Sequence, residues 1–259
     1  MVELRDQALF VIQAIYGVSF LVMAGFLFLQ WERTAKLGVA GRFILLALFA
    51  FTHGASDIAA AALRLPHVDE GATSLAAIRL LLLIVSFLFL LQFGLSLLVD
   101  DRQLYRGILG FGALAVLALI SGLVVVYASS PEAVRAVERL SRQLIGVPGA
   151  MLAALGLMRI SARCGRLKLK GCSRDSLWAA GAMAVYGFLA GGILYSPGPV
   201  RPGTTLRPNV FEILGLPIQF YRMLAAVTLL IACLRFLSRF DVRVEGQVAR
   251  MPAEEKSLP

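Results

Sequence analysis

The sequence predicts an all-α fold, a polytopic membrane bundle of seven transmembrane helices with its N-terminus outside the cytoplasm and its C-terminus inside. Three observations predict it. Of 259 residues, 59% are hydrophobic and only 16% charged, and the mean hydropathy is +0.80; a soluble domain carries about a quarter charged residues. The apolar surplus arrives in charge-free runs between Asp6 and Glu32, Arg79 and Asp100, Arg106 and Glu132, and Asp175 and Arg201. Each run holds the roughly 20 residues that cross a bilayer core as a helix. Finally, the arginines and lysines fall unevenly on the two sides of the predicted spans.

The first span, about 8–30, follows the mixed-charge start Met-Val-Glu-Leu-Arg-Asp. It lacks the basic n-region and is longer than the apolar core of a signal peptide, so it reads as a retained span. The second, 43–63, lies between Arg42 and Arg64 and holds one ionisable cluster. The third and fourth, 78–99 and 105–128, are uninterrupted. The fifth, 141–160, is short, but Arg142 and Arg159 can extend to the two interfaces. The sixth is 176–195, and the seventh, 215–237, carries Arg222. The chain thus divides into a membrane domain over 1–240 and a short cytoplasmic tail over 241–259.

With the N-terminus outside, sixteen basic residues fall on the inner side, six of them from Arg159 to Arg174, and eight fall outside. That asymmetry sets the orientation. It also accounts for the net charge of +9 without nucleic acid. Between the spans, 129–141 reads as a surface helix with a Val134, Val137, Leu140 stripe. The segment 196–214 is a Pro/Gly-rich outer loop. Cys164 and Cys172 flank the most basic inner loop and read as free thiols in a reducing compartment. No catalytic motif of a soluble enzyme is present, and two histidines cannot furnish an ordinary metal site. No metal and no catalytic residue are expected.

Ionisable groups at membrane depth cost about 2.5–3.5 kcal/mol on insertion scales, so each is a candidate for function. His53 and Asp57 stand four residues apart on one face of span two. Asp57 lies seven residues before Arg64, and Arg222 seven residues past Gly215. Both therefore sit roughly 10 Å below the outer interface at 1.5 Å per residue. An Asp57–Arg222 pair is the simplest way to keep both charged. Gln13 and Tyr16 of span one, Arg142 of span five, and Gln219 and Tyr221 of span seven fall in the same outer half. Ser19 and Gln143 do too, while Pro148 and Pro217 loosen the backbone near the outer ends. An outward-facing polar pocket among spans one, two, five and seven is expected. The same residues would serve equally as a structural ion pair locking the bundle. For His53 the alternatives are a satisfied core histidine and an axial haem ligand. The only other histidine, His67, lies in an outer loop beside Asp69 and Glu70. Tyr186 and Gln92 read as packing residues with a satisfied hydrogen bond.

The run YGVSFLVMAGFLFLQWERTAKLGVAGRFILLALFAFTHGASDI (Tyr16–Ile58) resembles the start of the multi-span sensor region that precedes histidine kinase or GGDEF diguanylate cyclase domains in bacteria. RQLIGVPGAMLAALGLMR (Arg142–Arg159), AVYGFLAGGILYSPGPV (Ala184–Val200) and LGLPIQFYRMLAAVTLLIACLRFLSRFD (Leu214–Asp241) fit the same pattern in order. The resemblance implies a non-enzymatic signal-input module in the bacterial cytoplasmic (inner) membrane. His53, Gly54, Asp57, Pro148, Pro217, Gln219 and Arg222 would be its site residues. It departs from the pattern after span seven, where this sequence contains no kinase or cyclase motif. The expected partners are the lipid bilayer and a cytoplasmic signalling protein or a neighbour in the same membrane, with a second copy of the chain also a candidate. The alternatives are a small transporter, a lipid- or quinone-handling membrane enzyme, and a cofactor-holding subunit of a membrane complex.

Overall fold

The computed structural model describes residues 2–34, 40–65, 72–99, 137–190 and 218–250. These form α1 (Val2–Thr34), α2 (Ala40–Ala62), α3 (Ala72–Leu98), α4 (Val147–Arg166), α5 (Lys170–Ala190) and α6 (Ile218–Arg250). A helical lead-in from Val137 and a π turn, Arg142–Gly146, precede α4. No strand occurs among the described residues.

Each helix packs on its successor, and α6 returns to α1, so the six close into a ring: α1–α2–α3–α4–α5–α6–α1. The ring is filled by Phe20, Met23, Leu46, Phe49, Phe87, Leu90, Phe93, Met183 and Leu229, all essentially inaccessible. The outer surface also carries large apolar side chains. Val11, Val18, Val22 and Leu29 of α1 point outward, with Ile78 and Leu81 of α3 and Leu177, Trp178 and Val185 of α5. A helix that is apolar all round needs an apolar solvent on its exposed side. Among the described residues, five helices are long and apolar enough to cross a membrane: Phe10–Gln30, Arg42–Ala62, Ser74–Leu98, Val137–Arg166 and Phe220–Arg239. They coincide with the first, second, third, fifth and seventh predicted spans. The predicted span 105–128 and the loop 196–214 lie outside the described residues. The predicted span 176–195 coincides over its described part with α5. Lys170, Arg174 and Asp175 lower the hydropathy of that helix, and it is not among the five.

Small residues bring the helices together. A Cβ on Gly54 would lie 2.7 Å from the carbonyl oxygen of Gly17, so α1 and α2 cross backbone to backbone there. At Gly94 the intruding atom would be the Ala153 amide, 2.6 Å away, which fixes the α3–α4 crossing. The π turn is closed by the Val147 amide donating to the Arg142 carbonyl. It sits directly before Pro148, whose ring cannot share a regular helical turn with the carbonyl four residues earlier. The expected surface helix 129–141 is described only from Val137. From there it runs unbroken into the span, with Val137 packed on Leu80, Leu83, Ile84 and Phe87. The basic segment expected on the inner side shrinks to a tight turn at Leu167–Leu169, because α4 and α5 continue past the expected span ends. Lys168 takes φ 57° there. Serines zip the two helices: Ser161 donates to the Ser173 carbonyl at 2.7 Å, and Ser176 to the Leu157 carbonyl at 2.8 Å.

The Gly54 contact yields a clear expectation. Gly54→Val forces apart two backbones that cannot yield and should cost about 1–3 kcal/mol, read by denaturant unfolding in detergent. Gly25→Ala, where an added Cβ meets nothing within 4 Å, should be neutral or slightly stabilising.

Candidate functional site

Arg64, Arg79, Glu138, Arg142 and Arg222 all lie toward the same end of the ring, hereafter the Arg64 end. About three turns below it His53, 1% exposed, sits on the inward face of α2. Its ring is walled by Phe20, Phe49, Phe87 and Tyr186, with centroids 5.0, 5.2, 5.6 and 5.7 Å away. Such a cage admits no water, so both nitrogens must find protein partners. They do. Nδ1 lies 2.9 Å from Ser86 Oγ of α3; Nε2 lies 2.8 Å from the Tyr186 hydroxyl of α5 and 3.2 Å from the Tyr16 hydroxyl of α1. One imidazole therefore ties α2 to three other helices.

The hydrogen positions follow from the bonding. The Ser86 hydroxyl has one hydrogen, and at 2.7 Å it donates it to the Leu83 carbonyl. Its oxygen can then only accept, so His53 Nδ1 carries the proton and donates. In a neutral ring Nε2 is a bare lone pair, and Tyr186 is the nearest donor to it.

Asp57, one turn nearer the Arg64 end, is 8% exposed. Its Oδ2 is 3.4 Å from His53 Nε2, and that buried oxygen has no hydrogen-bond partner. Around the pair stand three guanidiniums. Arg79 makes a two-pronged bond to Glu138, 2.7 and 3.2 Å, and Arg142 reaches the same carboxylate at 2.9 and 3.2 Å. Arg142 also lies over the Phe87 ring, 6.0 Å from its centroid. Arg222 donates through Nε and an Nη to the Leu189 carbonyl of α5, at 3.1 and 2.8 Å.

The expected Asp57–Arg222 ion pair is not formed. Depth arithmetic puts two residues at one height and leaves their bearing open; α2 and α6 are not neighbours in the ring, and Arg222 meets a carbonyl of α5 first. The polar centre belongs to α1, α2, α3 and α5, with Glu138 and Arg142 above it. Gln13 is half-buried and accepts from Arg64 Nε at 3.0 Å, which links the start of α1 to the end of α2. Ser19 turns back to its own helix at Ile15, Gln143 is exposed, and Tyr221 meets Phe220 edge to face. His67, Pro217 and the Gln219 side chain lie outside the described residues.

Sequence reasoning passed over Ser86 and Glu138 and treated Tyr186 as packing. Yet Tyr16, Ser86 and Tyr186 lie eight, eight and nine residues from the predicted outer ends of their spans, and His53 lies ten from its own. The depth arithmetic applied to the two carboxylate–arginine partners would have grouped these hydroxyls as well. Glu138 was hidden by its place in a segment read as a surface helix.

No group of three or more His, Cys, Asp or Glu residues that could hold a metal ion occurs among the described residues. Comparison of the chain with protein-family models, curated proteins and solved structures returned no match.

Removing a hydroxyl from this network should cost stability in proportion to its hold on Nε2. Tyr186→Phe, at 2.8 Å, is expected to lose about 1–2 kcal/mol, and Tyr16→Phe, at 3.2 Å, less than about 1. Chemical unfolding of both variants in one detergent gives the comparison.

Proposed function

We propose that the protein is an integral membrane signal-input module, in which the polar cluster at the Arg64 end biases the arrangement of the ring and α6 carries the change to a partner. The observation that carries this reading is the pairing of a buried polar centre with a long helix that continues past its apolar span. His53 and its partners join four helices within the core, beneath the charged groups of the Arg64 end. Helix α6 runs without interruption from Ile218 to Arg250, past the end of its apolar span at Arg239. At the far end Arg239 forms an ion pair with Asp175 of α5 at 3.0 Å, passing over Gly171. A disturbance of α5 at Tyr186 thus has a mechanical route to α6 near its exit. An input can use such a route only if it favours one arrangement over another.

The same proposal includes seven spans, N-out and C-in, in a bacterial cytoplasmic membrane. Its support is the direction of the helices. Arg79 near the start of α3 meets Glu138 ahead of α4, and Arg159 near the end of α4 donates to the Leu98 carbonyl at 2.7 Å. The two helices are parallel, so Leu98 and Val137 stand at opposite ends of the bundle, and the charge-free run 105–128 supplies the return crossing. The basic residues from Arg159 to Arg174 then face the cytoplasm. A haem-holding role for His53 has less support, since both ring nitrogens are already bonded to side chains.

Hydrogen–deuterium exchange on the protein in lipid nanodiscs tests the coupling. Asp57→Asn and Arg222→Ala should alter exchange at residues 240–250, roughly 30 Å from Arg222 along α6. Changes confined to the Arg64 end, with 240–250 untouched in both variants, would leave the cluster a purely structural lock.

A further inference from the structure

The hydrogen-bond count around His53 does not close. Four hydrogens are available around the imidazole, those on Nδ1, Ser86, Tyr16 and Tyr186, while the Gln13 side chain bonds the Asp57 carboxyl from the Arg64 side and leaves Oδ2 without a partner. Nδ1 donates to Ser86, and Ser86 donates to Leu83. The two phenols converge on Nε2, at 2.8 and 3.2 Å. Nothing then remains for Asp57 Oδ2. A lone pair on Nε2 and a carboxylate oxygen face each other across 3.4 Å in a place without solvent. Two acceptors opposed in this way are unfavourable, and 3.4 Å leaves no room for a water between them.

From this geometry we infer that His53 and Asp57 together form a binding site for one dissociable proton, held between Nε2 and Oδ2. The proton forms an N–H or O–H bond to one atom and a hydrogen bond to the other, and leaves to water as the bond breaks. The inference rests on the signal-input reading for its role, making the proton the input, but the site itself stands on the count alone.

Asp57 gives the proton its path. Its side chain keeps 11% exposure and lies on the Arg64 side of the pair, toward Gln13 and Arg64. The charges facing the pair come from every wall: Tyr16 of α1, Arg79 of α3, Arg142 and Glu138 ahead of α4, Tyr186 of α5 and Arg222 of α6. With the proton bound, Nε2 and Oδ2 attract, and at least one phenol must share or release the imidazole lone pair. With the proton gone, the phenols hold Nε2 and the carboxylate is repelled toward Gln13. The two states tie α1 and α5 to α2 differently.

Infrared difference spectroscopy across a pH series, on the whole protein in nanodiscs, tests this alongside thermal unfolding. The wild type should lose a buried carboxyl or imidazolium band as pH rises, and its stability should fall over the same range. Asp57→Asn should abolish both changes. His53→Gln, which offers an N–H donor to Asp57 with no dissociable proton, should do the same and serves if Asp57→Asn does not fold. A wild-type pH response that persists unchanged in either variant, or no response in the wild type, overturns the site. If the site titrates as expected while exchange at 240–250 stays constant with pH, the proton site stands and the signal-input reading fails.

Discussion

A single buried imidazole that must be bonded through both nitrogens governs this bundle. Lipid offers no partner to a polar group, so a histidine placed in the middle of α2 compels α1, α3 and α5 to supply hydroxyls at its depth. Tyr16, Ser86 and Tyr186 do so, and the phenylalanines around them exclude water. The remaining polar groups arrange themselves above this centre. Asp57 sits one turn nearer the surface, and Glu138 gathers Arg79 and Arg142. Arg222 is held by a backbone carbonyl. Burial makes each of these contacts costly to lose, which gives the cluster leverage over the helices that carry it.

Much of the fold was legible because lipid as solvent writes it into the sequence by length. Charge-free runs of 20 or more residues located the first and third spans, and apolar runs holding an ionisable cluster, or closed by Arg142 and Arg159, located the second, fifth and seventh; all five coincide with described helices long and apolar enough to cross a membrane. The flanking ends were less legible. Helices α4 and α5 extend well beyond the apolar core, and Lys168 in a left-handed turn joins them with almost no loop, a detail that no apolar period reports. The π turn at Arg142–Gly146 could be suspected only from Pro148, since a proline seven residues past the start of a span at 141 requires some departure from regular bonding.

The candidate site was legible in membership more than in geometry. His53, Asp57, Tyr16 and Arg142 belong to the cluster, and they were singled out because polar residues inside a span are expensive. The Asp57–Arg222 pairing failed, because sequence gives height along a helix and says nothing of which helices are adjacent. Ser86 was invisible for a different reason. A serine in a helix satisfies itself on its own backbone, as Ser19 does at Ile15, and only the structure distinguishes the serine that also receives an imidazole. Gly54 follows the same logic: its meaning lies in the Gly17 carbonyl of another helix.

The central claim, that His53 is held through both nitrogens with the proton fixed on Nδ1 by Ser86, can be read directly. Nitrogen NMR of histidine-labelled protein in lipid, with His67→Gln to leave one imidazole, reports the two ring atoms separately. The account predicts an Nδ1 that keeps its proton at every pH at which the protein is folded, while only Nε2 changes state. An Nδ1 without its proton, or a ring whose hydrogens exchange freely with water, would contradict it.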